Sequence, residues 1–408
     1  MKVRYMIVAS LVVLALIVVG CVKPAPAPEV TPEVTPEVTP EVEEFVMPEV
    51  LYITSMSIGS STYAMLAVYA DVLMKEYGVT IRILPGGTSI SRNIPLRSGD
   101  VHVWAEGSAH FPAYEGMFEY ADPSWGPQDI RMVWISVWPG EDSALASACD
   151  ANVKTPYDMK GKRIPWVPGT PGQQLMNTAY LAFGNLTWDD VIKVEMPSWT
   201  ACVRGVIEGK IDCVPGLQGI NPLAYELEAS PRGLCWPEMD PDDKEAWARL
   251  AKINPYIYPS KTSSGAGREP GKVYNVSSNG GLSLGVYASE SEEFVYNLAK
   301  MINESYDLYK DQAIVEYSNA EHSMYRPIGF MPYHEGTVKY LKEIGYWTAE
   351  HEAWQNNELE RGKILQAAWK AALDEAAEMK ITSGDFPDFW TAKREEVLKK
   401  AGLPVYGF

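Results

Sequence analysis

One short unit of sequence recurs four times and limits what the chain can fold into: an apolar run, a loop of small and hydroxyl residues, then apolar residues at helical spacing. It first occupies residues 50–54, a Ser/Gly-rich loop over 55–62, and a periodic stretch that stops at Gly78. It returns at 79–84 with Pro85-Gly86-Gly87-Thr88-Ser89 and a short helix to Arg97, then at 162–167 with Pro168-Gly169-Thr170-Pro171-Gly172 and a helix over 173–183. The fourth copy is 211–214, Pro215-Gly216-Leu217-Gln218-Gly219, and a helix over 222–227. Such alternation predicts an α/β chain with parallel sheets covered by helices on both faces. Ligands of these sheets sit beyond the carboxyl ends of the strands. There the first helical turn offers unpaired N–H groups and a partial positive charge. An anion, a carboxylate above all, is the natural guest of such a place.

The chain opens with Lys2 and Arg4, an apolar run over 6–19, then Gly20 and Cys21, the order of an export signal. Val18-Val19-Gly20-Cys21 resembles the lipobox of prokaryotic lipoproteins, which implies removal of residues 1–20 and lipidation of Cys21. An uncleaved signal anchor is the other reading, although the run is short for a membrane span. Residues 21–45 repeat Pro-Glu-Val-Thr and cannot bury a core. Held near the polyproline conformation, they form a tether that reaches roughly 60 Å. The expected setting is therefore extracytoplasmic, in the periplasm or on the outer cell surface, with a soluble body anchored to the membrane. The net charge of −18 excludes nucleic acid as a partner, because phosphate binding needs a basic face.

With Cys21 assigned to lipid, Cys149, Cys202, Cys213 and Cys235 remain, and three pairings into two disulfides are open beside free buried thiols. No CxxC, HExxH or phosphate-binding G-x-x-x-x-G-K-[ST] occurs, so neither a metal nor a cofactor is expected. Gly281-Leu282-Ser283-Leu284-Gly285 matches the G-x-S-x-G elbow of hydrolases, which would make Ser283 a nucleophile. That elbow needs a strand, a sharp turn and a helix, whereas residues 282–287 read as one continuous strand. The expectation is a protein without catalytic residues. A serine hydrolase and a surface lipoprotein with no role in transport are the alternatives.

Ser57-Ile58-Gly59-Ser60-Ser61-Thr62-Tyr63, Gly86-Gly87-Thr88-Ser89, Ser98-Gly99-Asp100-Val101, Asp158-Met159-Lys160-Gly161-Lys162 and Glu208-Gly209-Lys210-Ile211-Asp212 together resemble the TAXI family of solute receptors for TRAP transporters. The resemblance covers roughly residues 50–330. It implies a type II periplasmic binding fold, two lobes joined by hinge strands, here with an extra C-terminal helical segment. It also implies a small organic acid or amino acid as ligand and TRAP membrane subunits as partners. The lobes would comprise residues 46–148 plus 277–408 and residues 149–276. The family's cleft loops correspond here to Ser57, Ser60, Ser61 and Thr62, to Thr88 and Ser89, and to Gly169, Thr170 and Gln173. Glu106-Gly107-Ser108 stand where the family often carries Gln-Asn-Asp or Gln-Ser-Asp, so Glu106 and Ser108 belong to the expected ligand site.

Arg92 follows the Gly-Gly loop and has two roles open to it, a bidentate grip on a carboxylate or an exposed helix arginine. Arg204 has the same two. Glu106 would suit an amine or hydroxyl, or serve the hinge. Trp104, Trp134, Trp138, Trp166 and Trp199 lie near the same rim and either line the pocket or fill a core; Trp166, just before the loop at Pro168, is the best placed for the ligand. Beyond Phe330, Leu359, Ile364, Leu365, Ala368, Trp369 and Leu373 keep helical spacing until Asp385 to Phe389 breaks it. This amphipathic extension must pack on the first lobe or on a partner.

Overall fold

The first strand, β1 (Val50–Ser55), turns Leu51 and Ile53 inward and leaves Tyr52 in solvent, the alternation of a strand with one covered face. Ser60 caps the following helix, α1 (Ser61–Tyr77), and Gly78 ends it in the left-handed conformation. β2 (Thr80–Pro85), α2 (Ser89–Ser98) and β3 (Val103–Glu106) repeat the unit, with Thr88 and Ser91 forming a capping box at the start of α2. After the short α3 (His110–Glu115) comes β4 (Ile130–Val137). These coordinates are a computed structural model that describes residues 46–137, 142–279, 281–316, 318–321 and 331–407. The export signal over 1–20, the tether over 21–45 with Cys21, and Trp138 lie outside the described residues.

The chain then builds a second set of elements. β5 (Ala144–Ala148) and β6 (Arg163–Trp166) lead to α4 (Pro171–Phe183), β7 (Ile192–Glu195) and α5 (Trp199–Ile207). β8 (Cys213–Leu217), α6 (Pro222–Glu228), β9 (Leu234–Cys235), α7 (Lys244–Ile253), β10 (Tyr258–Thr262) and β11 (Tyr274–Ser278) follow. β12 (Gly281–Tyr287) then rejoins the first sheet, whose order is β2-β1-β3-β12-β4. β1 runs parallel to β2 and β3, while β12 lies antiparallel between β3 and β4. This is the two-lobed α/β arrangement expected of a type II periplasmic binding fold. In the second lobe β6 and β7 are parallel, but β8-β5-β9 is antiparallel, contrary to the all-parallel expectation. β5, expected in the first lobe, pairs with β8 and β9, and its alanines join the second core.

Each lobe has its own apolar cluster, one around Leu51, Trp104 and Val133, the other around Leu145, Tyr180 and Val203. Cys149 and Cys235 form a disulfide, and Cys202 and Cys213 are buried free thiols, so neither a pair of disulfides nor four free thiols is present.

The C-terminal part adds α8 (Glu292–Glu304), the single turn α9 (Tyr306–Tyr309), α10 (Glu335–Glu343), α11 (Ala349–Met379) and α12 (Phe386–Lys400). The expected break at 385–389 falls earlier. α11 stops at Met379, and Phe386 and Pro387 open α12, where the first turn has no need of the proline N–H. The extension packs on the first lobe. Arg361 of α11 and Arg394 of α12 both reach the fully buried Glu115 of α3, and Trp390 donates from Nε1 to the Gly116 carbonyl at 2.7 Å.

Burial by itself would raise the Glu115 carboxyl, but the Arg394 and Arg361 guanidinium groups hold it below the usual carboxylate range. Glu115→Gln leaves two buried cations against a neutral amide and is expected to cost about 3 kcal/mol in urea unfolding at neutral pH. Because the folded-state pKa is depressed, this contribution is complete above the unfolded pKa of about 4.3 and is lost as pH falls through the lower folded value. The gap between wild type and variant should therefore narrow in acid, and a gap unchanged down to pH about 2 would contradict the assignment.

Candidate functional site

The carboxyl ends of the first-lobe strands and the helix N-termini of both lobes meet at a cavity of about 60 Å³. From the first lobe come Met56, Ser60, Ser61, Thr62, Glu106, Gly107 and Ser108. From the second come Ser143, Thr170, Gln173, Met176, Trp199, Pro215, Gly216, Gln218 and Asn279. A water-sized group needs about 10–15 Å³ on this measure, so the space suits a solute of a few heavy atoms.

The hydroxyls at the start of α1 tie the lobes together. Ser60 accepts from the Tyr63 N–H at 3.2 Å, an ordinary cap. Ser61 donates to Gln218 Oε1 at 3.0 Å and accepts from Asn221 Nδ2 at 2.9 Å, both across the cleft. Gln218 in turn donates from Nε2 to the Gly216 carbonyl at 2.8 Å and to Ser143 Oγ at 3.3 Å. The main-chain N–H groups of Ser61 and Thr62 find no acceptor among the described residues, as the first turn of a helix dictates. On the opposite wall Thr170 stands at the N-terminus of α4 without making a cap bond, and its Oγ1 has no partner among the described residues. Gln173 and Asn279 turn Nε2 and Nδ2 toward the sulfurs of Cys202 and Met176, each at 3.4 Å, and leave Oε1 and Oδ1 unpaired among the described residues. A buried polar atom without a partner costs about 1–3 kcal/mol, so these three groups favour an occupant that bonds to them.

Charge is distributed differently from expectation. Arg92 is buried, and its Nε donates to Glu106 Oε2 at 3.1 Å while Nη2 makes a second contact with the same oxygen. Nη1 also donates to the Gly86 carbonyl at 2.8 Å, and Nη2 to Ser89 Oγ at 3.1 Å. Arg92 is thus neither a ligand fork nor an exposed helix arginine: a carboxylate fourteen residues along the chain occupies it. Glu106 Oε1 accepts from the Gly107 N–H at 2.9 Å. Burial would push the Glu106 carboxyl up, yet Arg92 and this N–H keep it below the usual range and ionised. Behind it, burial lowers His110 to about 4 against the pull of Glu106, so that imidazole is neutral. Among the described residues that line the cavity, Glu106 is the only one with a formal charge.

Of the expected site residues, Ser60, Ser61, Thr62, Glu106, Ser108, Thr170 and Gln173 come together around the cavity. The others do not reach it. Ser57 accepts from the Ser60 N–H through its carbonyl and stays on the loop, while Thr88 is consumed by its capping box. Ser89 supports Arg92, and Gly169 places its N–H on Glu119 Oε1 at 2.6 Å. Trp166 sits edge-on to Trp188 and lines a separate open depression with Phe118, Trp125 and Gly169. The tryptophan of the cavity is Trp199, whose Nε1 donates to the Pro215 carbonyl at 2.9 Å; Trp104 and Trp134 are core. Gln218 and Gly216 come from the fourth copy of the recurring loop, a signal that could have been carried to the site. Ser143 and Asn279 flank the segments that pass between the lobes and had no motif to mark them. Ser283 is fully buried in mid-strand β12, with Oγ 2.8 Å from His110 Nδ1 and 3.0 Å from the Glu106 carbonyl, and it forms no elbow.

A family model described as the NMT1-like family matches residues 62–345, more than half of the chain. The chain belongs to the NMT1-like family. No curated protein matches this NMT1-like chain. Among solved structures it is similar to the alkanesulfonate-binding protein of Xanthomonas axonopodis pv. citri bound to MOPS, at 16% identity, 76% of this chain, 84% of that one and a TM-score of 0.43. It is also similar to the periplasmic aliphatic sulphonate binding protein of Escherichia coli, at 14% identity, 85% and 99% coverage and a TM-score of 0.42. A binding protein component of an ABC phosphonate transporter from Pseudomonas aeruginosa gives 12%, 80%, 99% and 0.41.

If Arg92 serves Glu106 and not the solute, Arg92→Met should destabilise the NMT1-like chain by about 3 kcal/mol, since it strands a buried carboxylate. Adding Glu106→Gln should restore a large part of that loss in urea unfolding. Strictly additive effects of the two substitutions would refute the pairing.

Proposed function

We propose that this chain is an extracytoplasmic solute receptor that closes its lobes around a small organic solute and delivers it to a membrane transporter. The observation that carries the reading is the cavity itself: it draws on both lobes, holds unpartnered polar atoms, and lies at the N-termini of α1 and α4. Contacts from both lobes exist only when the lobes are together, so a solute that makes them biases the molecule toward the closed form. In this reading the lobes are residues 46–137 with 281–407 and residues 142–279, since the chain changes sheet between Val137 and Ala144 and returns between Ser278 and Gly281.

A carboxylate suits the free N–H groups of Ser61 and Thr62. Glu106 has its charge met by Arg92, and its oxygens keep acceptor capacity at the cavity that suits a solute with an N–H or ammonium group of its own. A small amino acid meets both demands, with its ammonium toward Glu106. The finer features belong to the same proposal: transport of the TRAP type, as the TAXI resemblance implies, and anchoring through lipidated Cys21.

Native mass spectrometry of freshly purified protein should find a retained small molecule. A panel of small amino acids and carboxylates should alter the emission of Trp199 and compact the protein in solution scattering. Thr170→Phe, which fills the cavity, should abolish the response without lowering the thermal midpoint. A panel that moves neither signal, on protein that carries no retained molecule, would overturn the receptor reading.

A further inference from the structure

The two lobes are also joined at a place the solute does not touch. Gly169, in the loop before α4, is held from both sides by the first lobe. Its N–H donates to Glu119 Oε1 at 2.6 Å, and its carbonyl accepts from the Ile90 N–H at 3.0 Å. The same Glu119 oxygen accepts from Gln174 Nε2 at 2.9 Å. The preceding residue, Phe118, has a φ of 54°, a left-handed backbone that a phenylalanine adopts only when its surroundings impose it. Gly169 has a φ of 78°, and a Cβ there would stand 3.4 Å from Thr88. Phe118 and Trp166 meet edge to face across the same boundary at 6.3 Å. Glu119, Ile90 and Gly169 line the open depression beside Trp166 and Trp125, and none of them lines the solute cavity.

We infer that Glu119 is the positioning residue of an interlobe clasp on Gly169, which adds to closure independently of the cavity's contents, so that the solute-free protein opens less often than it would without the clasp and the solute completes the closure. The inference rests on the two-lobed receptor reading but not on any particular solute. A carboxylate that accepts two N–H bonds at once makes stronger bonds than a neutral acceptor, and the residue before it, Phe118, keeps a left-handed backbone beside these bonds. Closure then has two sources, the solute in the cavity and the clasp at the rim.

The test uses solute-free protein, stripped by partial unfolding and refolding, so that its outcome is separate from whether any solute binds. In amide hydrogen exchange the Gly169 and Ile90 amides should be protected in the wild type. In Glu119→Ala the Gly169 amide should exchange about tenfold to a hundredfold faster, as loss of a charge-assisted bond implies. The radius of gyration should rise at the same time, while core amides of β1 exchange as before. Glu119→Gln, which keeps an acceptor without its charge, should fall between. An unprotected Gly169 amide in the wild type would overturn the clasp, and this holds even if Glu119→Ala fails to fold. Unchanged exchange and radius in a folded Glu119→Ala would overturn it equally.

Discussion

A carboxylate taken out of water must meet a cation or lose its charge, and the architecture turns on three places where an arginine meets that demand. Arg92 holds Glu106 at the floor of the cavity, Arg268 holds Asp142 where the chain enters the second lobe, and Arg361 with Arg394 holds Glu115 under the C-terminal extension. Both partners are nearly inaccessible to solvent in each case. Such pairs add little net stability over an apolar core of the same shape, but each is costly to break from one side. They specify which elements must sit together: α2 against β3, the passage after β4 against the Arg268 loop, and α3 against α11 and α12.

The cavity follows from the first of these pairs. With Arg92 committed to Glu106, the wall keeps a carboxylate while the opposite sides offer helix N-termini, hydroxyls and amide oxygens. The polar groups that join the lobes, Ser61 with Gln218 and Asn221, satisfy one another, whereas Thr170, Gln173 and Asn279 do not. In the receptor reading proposed above, one set of contacts belongs to closure and the other to the guest. Glu119 and Gly169 extend the first set to the rim.

The strand, loop and helix repeats were legible in the sequence to within about three residues, because caps such as Ser60 and stops such as Gly78 and Gly99 act locally; the largest miss is β8, which runs to Leu217 through residues expected to be loop. Thr170 and Gln173 were expected at the site from the resemblance of their loop to the TAXI receptors, and both line the cavity. Arg92 was misread because its polarity shows that it needs a partner but not that Glu106, on the next strand, would supply one. Trp166 lost the cavity to Trp199 for a related reason: on β6 it faces the outer depression, while Trp199 opens α5 with its indole bonded to Pro215. Ser143 and Asn279 had no local signal. Their place depends on how two distant segments align as the chain crosses between sheets, and that is a property of the assembled lobes.

The walls of the cavity are nearly all buried side chains, with Thr170 6%, Gln173 4% and Asn279 4% exposed. An occupant that bonds to walls drawn from both lobes gives up all of those bonds only when the lobes separate. Its turnover is then timed by collective hinge motion, typically microseconds to milliseconds, however weakly it is held. Tightness of grip and speed of exchange become separately adjustable properties of one molecule, the first set by the groups around the guest and the second by whatever resists separation at the rim.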